Sequence, residues 1–193
     1  MNLTMTNKTE QKRMHPHKFT LWVAIGSLLM MFAGLTSAFI VKSNQVNWKP
    51  VTMPVWFTIS TILMLISSGT MQLALRSFRE RVMRNYRMWM LVTLVLGLGF
   101  VASQWIGFQD LWSKQVTFQG AGAGQFLYVI FGLHALHVVA GVIVLLVMAI
   151  RSFAGSVKTY SPVPVEIAST YWHFVDLLWI YLFVFFWVIG SGQ

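Results

Sequence analysis

Residues 168–190 read ASTYWHFVDLLWIYLFVFFWVIG, a run in which His173 and Asp176 are the only members of the His, Asp, Glu, Lys and Arg set. A bilayer core requires about 20 such residues of helix, so this stretch reads as a membrane span. An imidazole and a carboxylate three residues apart are expensive in hydrocarbon, where ionisable groups face protein or water and take a partner. Tyr171-Trp172-His173-Phe174-Val175-Asp176 therefore holds the strongest clue to both fold and function.

Four further runs have the same character: about Phe19–Val41, Val55–Leu75, Met88–Phe108 and Phe126–Ile150. The 193 residues are 56% hydrophobic and 10% charged, with mean hydropathy +0.66. A soluble domain carries about 25% charged residues. The expected fold is thus all-α: a polytopic membrane protein, one domain over 1–193, built as a bundle of five transmembrane helices. Prolines at 16, 50, 54, 162 and 164 fall outside the five runs and mark helix starts or loops. Met1–Lys18 is polar and basic, and the first apolar run after it is too long and lacks a small-residue cleavage site, so it does not read as a cleavable signal.

Orientation follows from Lys and Arg in the short connections. Lys8, Lys12, Arg13 and Lys18 precede the first span, Arg76, Arg79, Arg81, Arg84 and Arg87 follow the second, and Arg151 and Lys158 follow the fourth. Only Lys42, Lys49 and Lys114 fall on the other side, an eleven-to-three asymmetry that puts the N-terminus inside and the C-terminus outside. The net charge of +9 is a membrane-edge rim by this reading, with no nucleic-acid partner. The five arginines are candidates for anionic lipid headgroups, set against the plain positive-inside signal.

Cysteine is absent, which excludes disulfides, iron–sulfur clusters, covalent c-type haem and thiolate metal sites on this chain. Small residues such as Gly34/Ala38, Ser67-Ser68-Gly69, Gly97/Gly99 and Ala140-Gly141 indicate close helix contacts. The run Gly120–Gly124 follows no strand and carries no Lys-Ser/Thr, so it reads as a loop and not a phosphate cradle.

His134 and His137 in the fourth span repeat the i, i+3 spacing of His173 and Asp176 in the fifth. At ~1.5 Å rise per residue, His137 and Asp176 come within roughly 6 Å of each other in depth on antiparallel helices. A polar seam between these spans is expected. It has four readings: a hydrogen-bonded network that locks helix packing, a b-type haem site, a metal site, or a proton relay. Glu166 stands at the inner end of the fifth span. The hydroxyls and amides of Ser27, Thr36, Ser37, Ser60, Thr61, Gln72, Thr93, Ser103 and Gln104 are expected mainly to bond back to their own helices.

Two segments carry a family resemblance. Glu166–Trp187, around its Tyr171–Asp176 core, resembles the last helix of cytochrome c oxidase subunit III. Gly132-Leu133-His134-Ala135-Leu136-His137-Val138-Val139-Ala140-Gly141 is similar to that family's G-x-H-x-x-H-V-x-x-G helix. Looser agreement at Ser37-Ala38-Phe39, Ser60-Thr61 and Ser67-Ser68 extends the resemblance over most of residues 17–190.

The resemblance implies a non-catalytic subunit III of a haem–copper terminal oxidase, a complex that reduces oxygen to water while moving protons. It implies no cofactor on this chain, with haem and copper on partner subunits and bound phospholipid beside it. The implied partners are catalytic subunit I and subunit II, membrane lipids, and a larger respiratory supercomplex, in a bacterial plasma membrane. His134, His137, His173, Asp176 and Glu166 are then a structural polar network. Many family members have seven helices, with a lipid-filled cleft between the first two and the other five; this chain has only the five. Many carry a buried glutamate in the first of those five, where Ser27 or a neighbour stands here, and an acidic–aromatic pair that Gly107-Phe108 replaces. Two rivals keep other complexes in view: an accessory protein of a nitric-oxide reductase, and a haem-b anchor reacting with quinone. A transporter reading lacks the internal repeat and broken helix pair it calls for.

Overall fold

The computed structural model of the chain describes residues 16–43, 55–113, 123–153 and 162–191. Its five helices are α1 (Pro16–Ser43), α2 (Val55–Arg79), α3 (Met83–Ser113), α4 (Ala123–Phe153) and α5 (Val163–Ser191). All five are long and apolar enough to cross a membrane, and no strand occurs among the described residues. Lys8, Lys12, Arg13, Lys49, Lys114, Lys158 and the start of the Gly120–Gly124 run lie outside the described residues.

Each expected apolar run lies within one helix, and the helices overrun it. α3 starts at Met83 and ends at Ser113, a turn or more beyond Met88 and Phe108 on either side. Arg, Met and Leu are good helix formers, and Arg76 holds Glu80 one turn on at 2.8 Å. The expected arginine-rich loop is therefore mostly helix, and only Glu80–Val82 separate α2 from α3. That turn is closed by the amide of Val82 donating to the carbonyl of Ser77 at 3.0 Å, with Arg81 at φ 60 in the left-handed position that ends such helices. Pro16 opens α1 and Pro164 sits in the first turn of α5, where a missing N–H costs nothing.

The buried positions explain the packing. Phe57, Ser60, Met64, Ser67, Met71, Ala74 and Phe78 on α2, and Met90, Thr93, Gly97, Phe100, Gln104, Gly107 and Leu111 on α3, alternate steps of three and four. On α5, Val165, Ala168, Trp172, Val175, Trp179, Leu182 and Phe186 do the same. A 3.5-residue repeat is the signature of helices meeting along a seam. α2, α3, α4 and α5 close a four-membered ring, α2 on α3 most extensively, and α1 leans on α4 and α5 from outside. Its buried set is correspondingly sparse: Ile25, Phe32, Thr36 and Phe39.

Trp172 ties the ring together. Its indole N–H donates to Ser67 Oγ of α2 at 3.0 Å. Its ring fills the space that Gly97 of α3 and Gly141 of α4 leave: an added Cβ would lie 2.9 Å and 3.0 Å from indole carbons. Two turns on, Trp179 packs against Phe57, Phe100 and Phe131 at centroid distances of 6.1, 5.2 and 5.3 Å.

Candidate functional site

The polar side chains within the spans form separate sites rather than one seam. His173 turns toward α2, not α4: Nδ1 lies 2.6 Å from Ser68 Oγ and Nε2 lies 3.2 Å from Gln72 Oε1. Asp176 is 3% exposed, has Ser68 beside it, and accepts no hydrogen bond of good geometry. His134 and His137 turn the other way. His134 is fully buried, stacked on Trp179 at 5.1 Å and flanked edge-on by Phe32 and Phe100. Neither of its ring nitrogens has a hydrogen-bond partner among the described residues. His137 Nδ1 donates back to the Leu133 carbonyl at 2.6 Å, and the hydroxyl of Tyr171 donates to the carbonyl of His137 at 3.1 Å. That last bond adds a hydrogen bond between α4 and α5 to the stacking of His134 on Trp179.

The reason is angular. Residues three apart on a helix point about 60° apart, so a pair straddles a face and its partners depend on helix order around the ring. His173 and Asp176 lie beside α2 because α5 is flanked by α2 on one side and α4 on the other.

α2 emerges as the chief carrier of polar partners. Ser67 receives Trp172, Thr61 Oγ1 receives Trp179 Nε1–H at 3.0 Å, and Ser60 Oγ receives Gln104 Nε2–H at 2.9 Å. Thr70 and Thr93 hydroxyls pair at 2.9 Å between α2 and α3. Thr36 of α1 pairs with the Tyr181 hydroxyl of α5 at 3.0 Å. Back-bonding to the same helix is also present, as at Ser60, Thr61 and Thr93. The expectation for these hydroxyls thus holds for the back-bonds and misses the cross-helix bonds. A sequence signal existed: Ser60, Ser67 and Ser68 share the buried repeat or its flank.

Glu166 joins three helices at one end of the bundle. It accepts from Lys18 Nζ of α1 at 2.6 Å and from Arg79 Nη2 of α2 at 2.8 Å, with its own side chain 21% exposed. Of the arginines singled out in the sequence, Arg76 and Arg79 thus hold carboxylates, and Arg87 lies 5.6 Å over the Phe153 ring. All five cluster where α2 ends and α3 begins. Among the described residues no group of three or more His, Asp and Glu side chains is disposed to hold a metal ion.

Residues 14–191 match the family described as cytochrome c oxidase subunit III. The chain is 26% identical over 174 residues to cytochrome c oxidase subunit 3 of Bacillus sp. strain PS3, covering 88% of this chain and 84% of that protein. It is 31% identical over 165 residues to the probable cytochrome c oxidase subunit 3 of Mycobacterium leprae, covering 83% and 82%. It is 26% identical over 195 residues to quinol oxidase subunit 3 of Bacillus spizizenii, covering 99% and 95%.

Proposed function

Since this chain belongs to the cytochrome c oxidase subunit III family, we propose that it is the non-catalytic subunit III of a haem–copper respiratory oxidase in a bacterial plasma membrane. As a family member it is a multi-pass membrane subunit of a multi-subunit respiratory oxidase. The finer roles are our reading. The chain packs beside the catalytic subunit, contributes to assembly and durability, and borders phospholipid; haem and copper sit on partner subunits, which also engage the electron donor.

The observation that carries this reading is the match over residues 14–191, nearly the whole chain. The chemistry of the interior supports it. Ser60, Ser67, Thr61, Thr70 and Thr36 bond Gln104, Trp172, Trp179, Thr93 and Tyr181 across helices, which serves to set helix positions. His173 shares in this through Ser68 and Gln72. Glu166 fastens α1, α2 and α5 at the end we assign to the cytoplasm from the charge asymmetry.

The test is to strip this chain from the purified complex with detergent and measure the haem content of what remains. Haem content per catalytic subunit is expected to be unchanged; loss of a haem together with this chain contradicts the reading. Asp176→Asn is expected to lower retention of the chain in the complex more than turnover per assembled complex. Full retention with abolished turnover would reverse that ordering.

A further inference from the structure

α1 is held unevenly along its length. From Phe32 onward it belongs to the shared core. Phe32 sits edge-on to His134 and His137 at 6.4 and 6.1 Å, and Phe39 meets Phe126, Phe185 and Phe186 at 6.3, 5.7 and 4.9 Å. Thr36 pairs with the Tyr181 hydroxyl between them. The stretch from Pro16 to Met30 contributes nothing to that contiguous core among the described side chains; Ile25 alone is buried there, apart from the cluster. Its one polar tie to another helix, among the described side chains, is the Lys18 ammonium on Glu166 at 2.6 Å. At this end α1 and α2 are separated by an opening of ≈ 230 Å³, floored by Ile167 and Thr170 of α5. Glu166 spans the opening, taking Lys18 from one wall and Arg79 from the other.

A segment held in this way is free to leave. Phe19, Trp22, Val23, Leu29 and Met30 are exposed, and lipid tails are as apolar as a neighbouring helix. Swinging the segment into lipid therefore forfeits no hydrophobic burial. Lys18 is 39% exposed, and a part-exposed ion pair is a weak hold that salt screens. Gly26-Ser27 lies where the loose stretch gives way to the packed one, and Gly/Ser pairs are among the few steps at which helices bend sharply. A Cβ at Gly26 would meet nothing within 4 Å. Close packing does not call for this glycine, so what it adds is backbone freedom.

We propose that residues 16–25 of α1 form a strap that swings on Gly26-Ser27 and is latched by the Lys18–Glu166–Arg79 clasp. Latched, the strap narrows the opening over Ile167 and Thr170. Released, it tilts into lipid and uncovers this end of α5, while Phe32, Thr36 and Phe39 stay seated. Phe19 lies seven residues from Gly26, ~10 Å along the helix, so a bend of about 20° moves it ~4 Å.

The test is a spin-label distance measurement on the intact complex in lipid nanodiscs. Nitroxides go on cysteines introduced into this chain, which has none of its own, with the unsubstituted complex as the labelling blank. One pair, Phe19→Cys with Met88→Cys, reads the strap against α3. A second, Val41→Cys with Trp105→Cys, reads the far end, and all four positions are exposed. Glu166→Gln is expected to add a component ~4 Å longer to the first pair and leave the second unchanged. Lys18→Gln, which keeps the Glu166–Arg79 bond, is expected to do the same and carries the test alone where Glu166→Gln fails to assemble. Adding Gly26→Ala is expected to shrink the longer component. An unchanged first pair in either assembled variant overturns the proposal. So does an equal shift in both pairs, which would mean that α1 moves as one rod. A component undiminished by Gly26→Ala overturns the pivot.

Discussion

Replacing Gly97 by alanine tests the claim that the Trp172 indole sets how closely α3 approaches α5. The new Cβ would lie 2.9 Å from the outermost ring carbon of Trp172, 3.2 Å from its neighbour and 3.2 Å from a Val142 methyl. The indole has no retreat, because Gly141 bounds it on the α4 side and Ser67 holds its N–H. Overpacking of this kind costs about 1–3 kcal/mol. Trp172→Phe removes those outer ring carbons and the bond to Ser67. In lipid the separated helices lose no hydrophobic burial, so the loss is packing plus a hydrogen bond of about 0.6 kcal/mol, and a total of about 1–2 kcal/mol is expected. The two changes are coupled: once the indole is trimmed to a phenyl ring, the methyl group added at position 97 has room. The double variant should then recover about 1–2 kcal/mol of the summed loss. SDS titration of the purified chain in mixed micelles, followed by circular dichroism, reads all four proteins of the cycle. Additive losses within about 0.3–0.5 kcal/mol would refute the wedge.

Three further outcomes follow from the same geometry. His134→Leu exchanges a buried imidazole lacking ring-nitrogen partners among the described residues for an apolar side chain, so the unfolding free energy should move by less than about 1 kcal/mol; a loss above about 2 kcal/mol would show the imidazole to be bonded. Glu166→Gln should release Lys18 and Arg79, costing about 0.2–1 kcal/mol per pair and reducing the salt sensitivity of the midpoint; an unchanged salt response would show the clasp to be idle. Thr70→Val and Thr93→Val should each cost about 0.6 kcal/mol and the pair no more than either alone, read in a double-mutant cycle; independent losses would mean that the 2.9 Å contact carries no energy.

The number of helices and their apolar centres were legible because hydrocarbon demands about 20 apolar residues per crossing, while their polar ends, such as Met83–Arg87 of α3, were not; the 3.5-residue alternation of Phe57 to Phe78 and Met90 to Leu111 was present in the sequence to be read. The order of helices around the ring was not. By residue counting His137 and Asp176 stand within roughly 6 Å of each other in depth, with His134 and His173 a turn away to opposite sides, yet which neighbour each meets depends on rotation about the helix axis. Rotation is set by wedges such as Trp172 between Gly97 and Gly141, a contact among three helices distant in sequence. The Glu166 clasp was half legible: its place at the start of the fifth span was evident, while its partners required α1 and α2 to flank α5. Hydroxyls on α2 were readable as helix back-bonds because that bond is local. Their second bonds, to Trp172, Trp179 and Gln104, are long-range and left only the register of Ser60 and Ser67 as a trace.

We propose that this chain supports a redox complex whose haem and copper lie on other subunits. Affinity purification of the tagged chain from membranes in mild detergent, with the visible spectrum and the co-purifying subunits recorded together, tests it most directly. The expected result is a haem-bearing catalytic oxidase subunit in the preparation and no Soret band on this chain once it is separated. A Soret band that stays with the separated chain and disappears on replacing His134, His137 or His173 would contradict it.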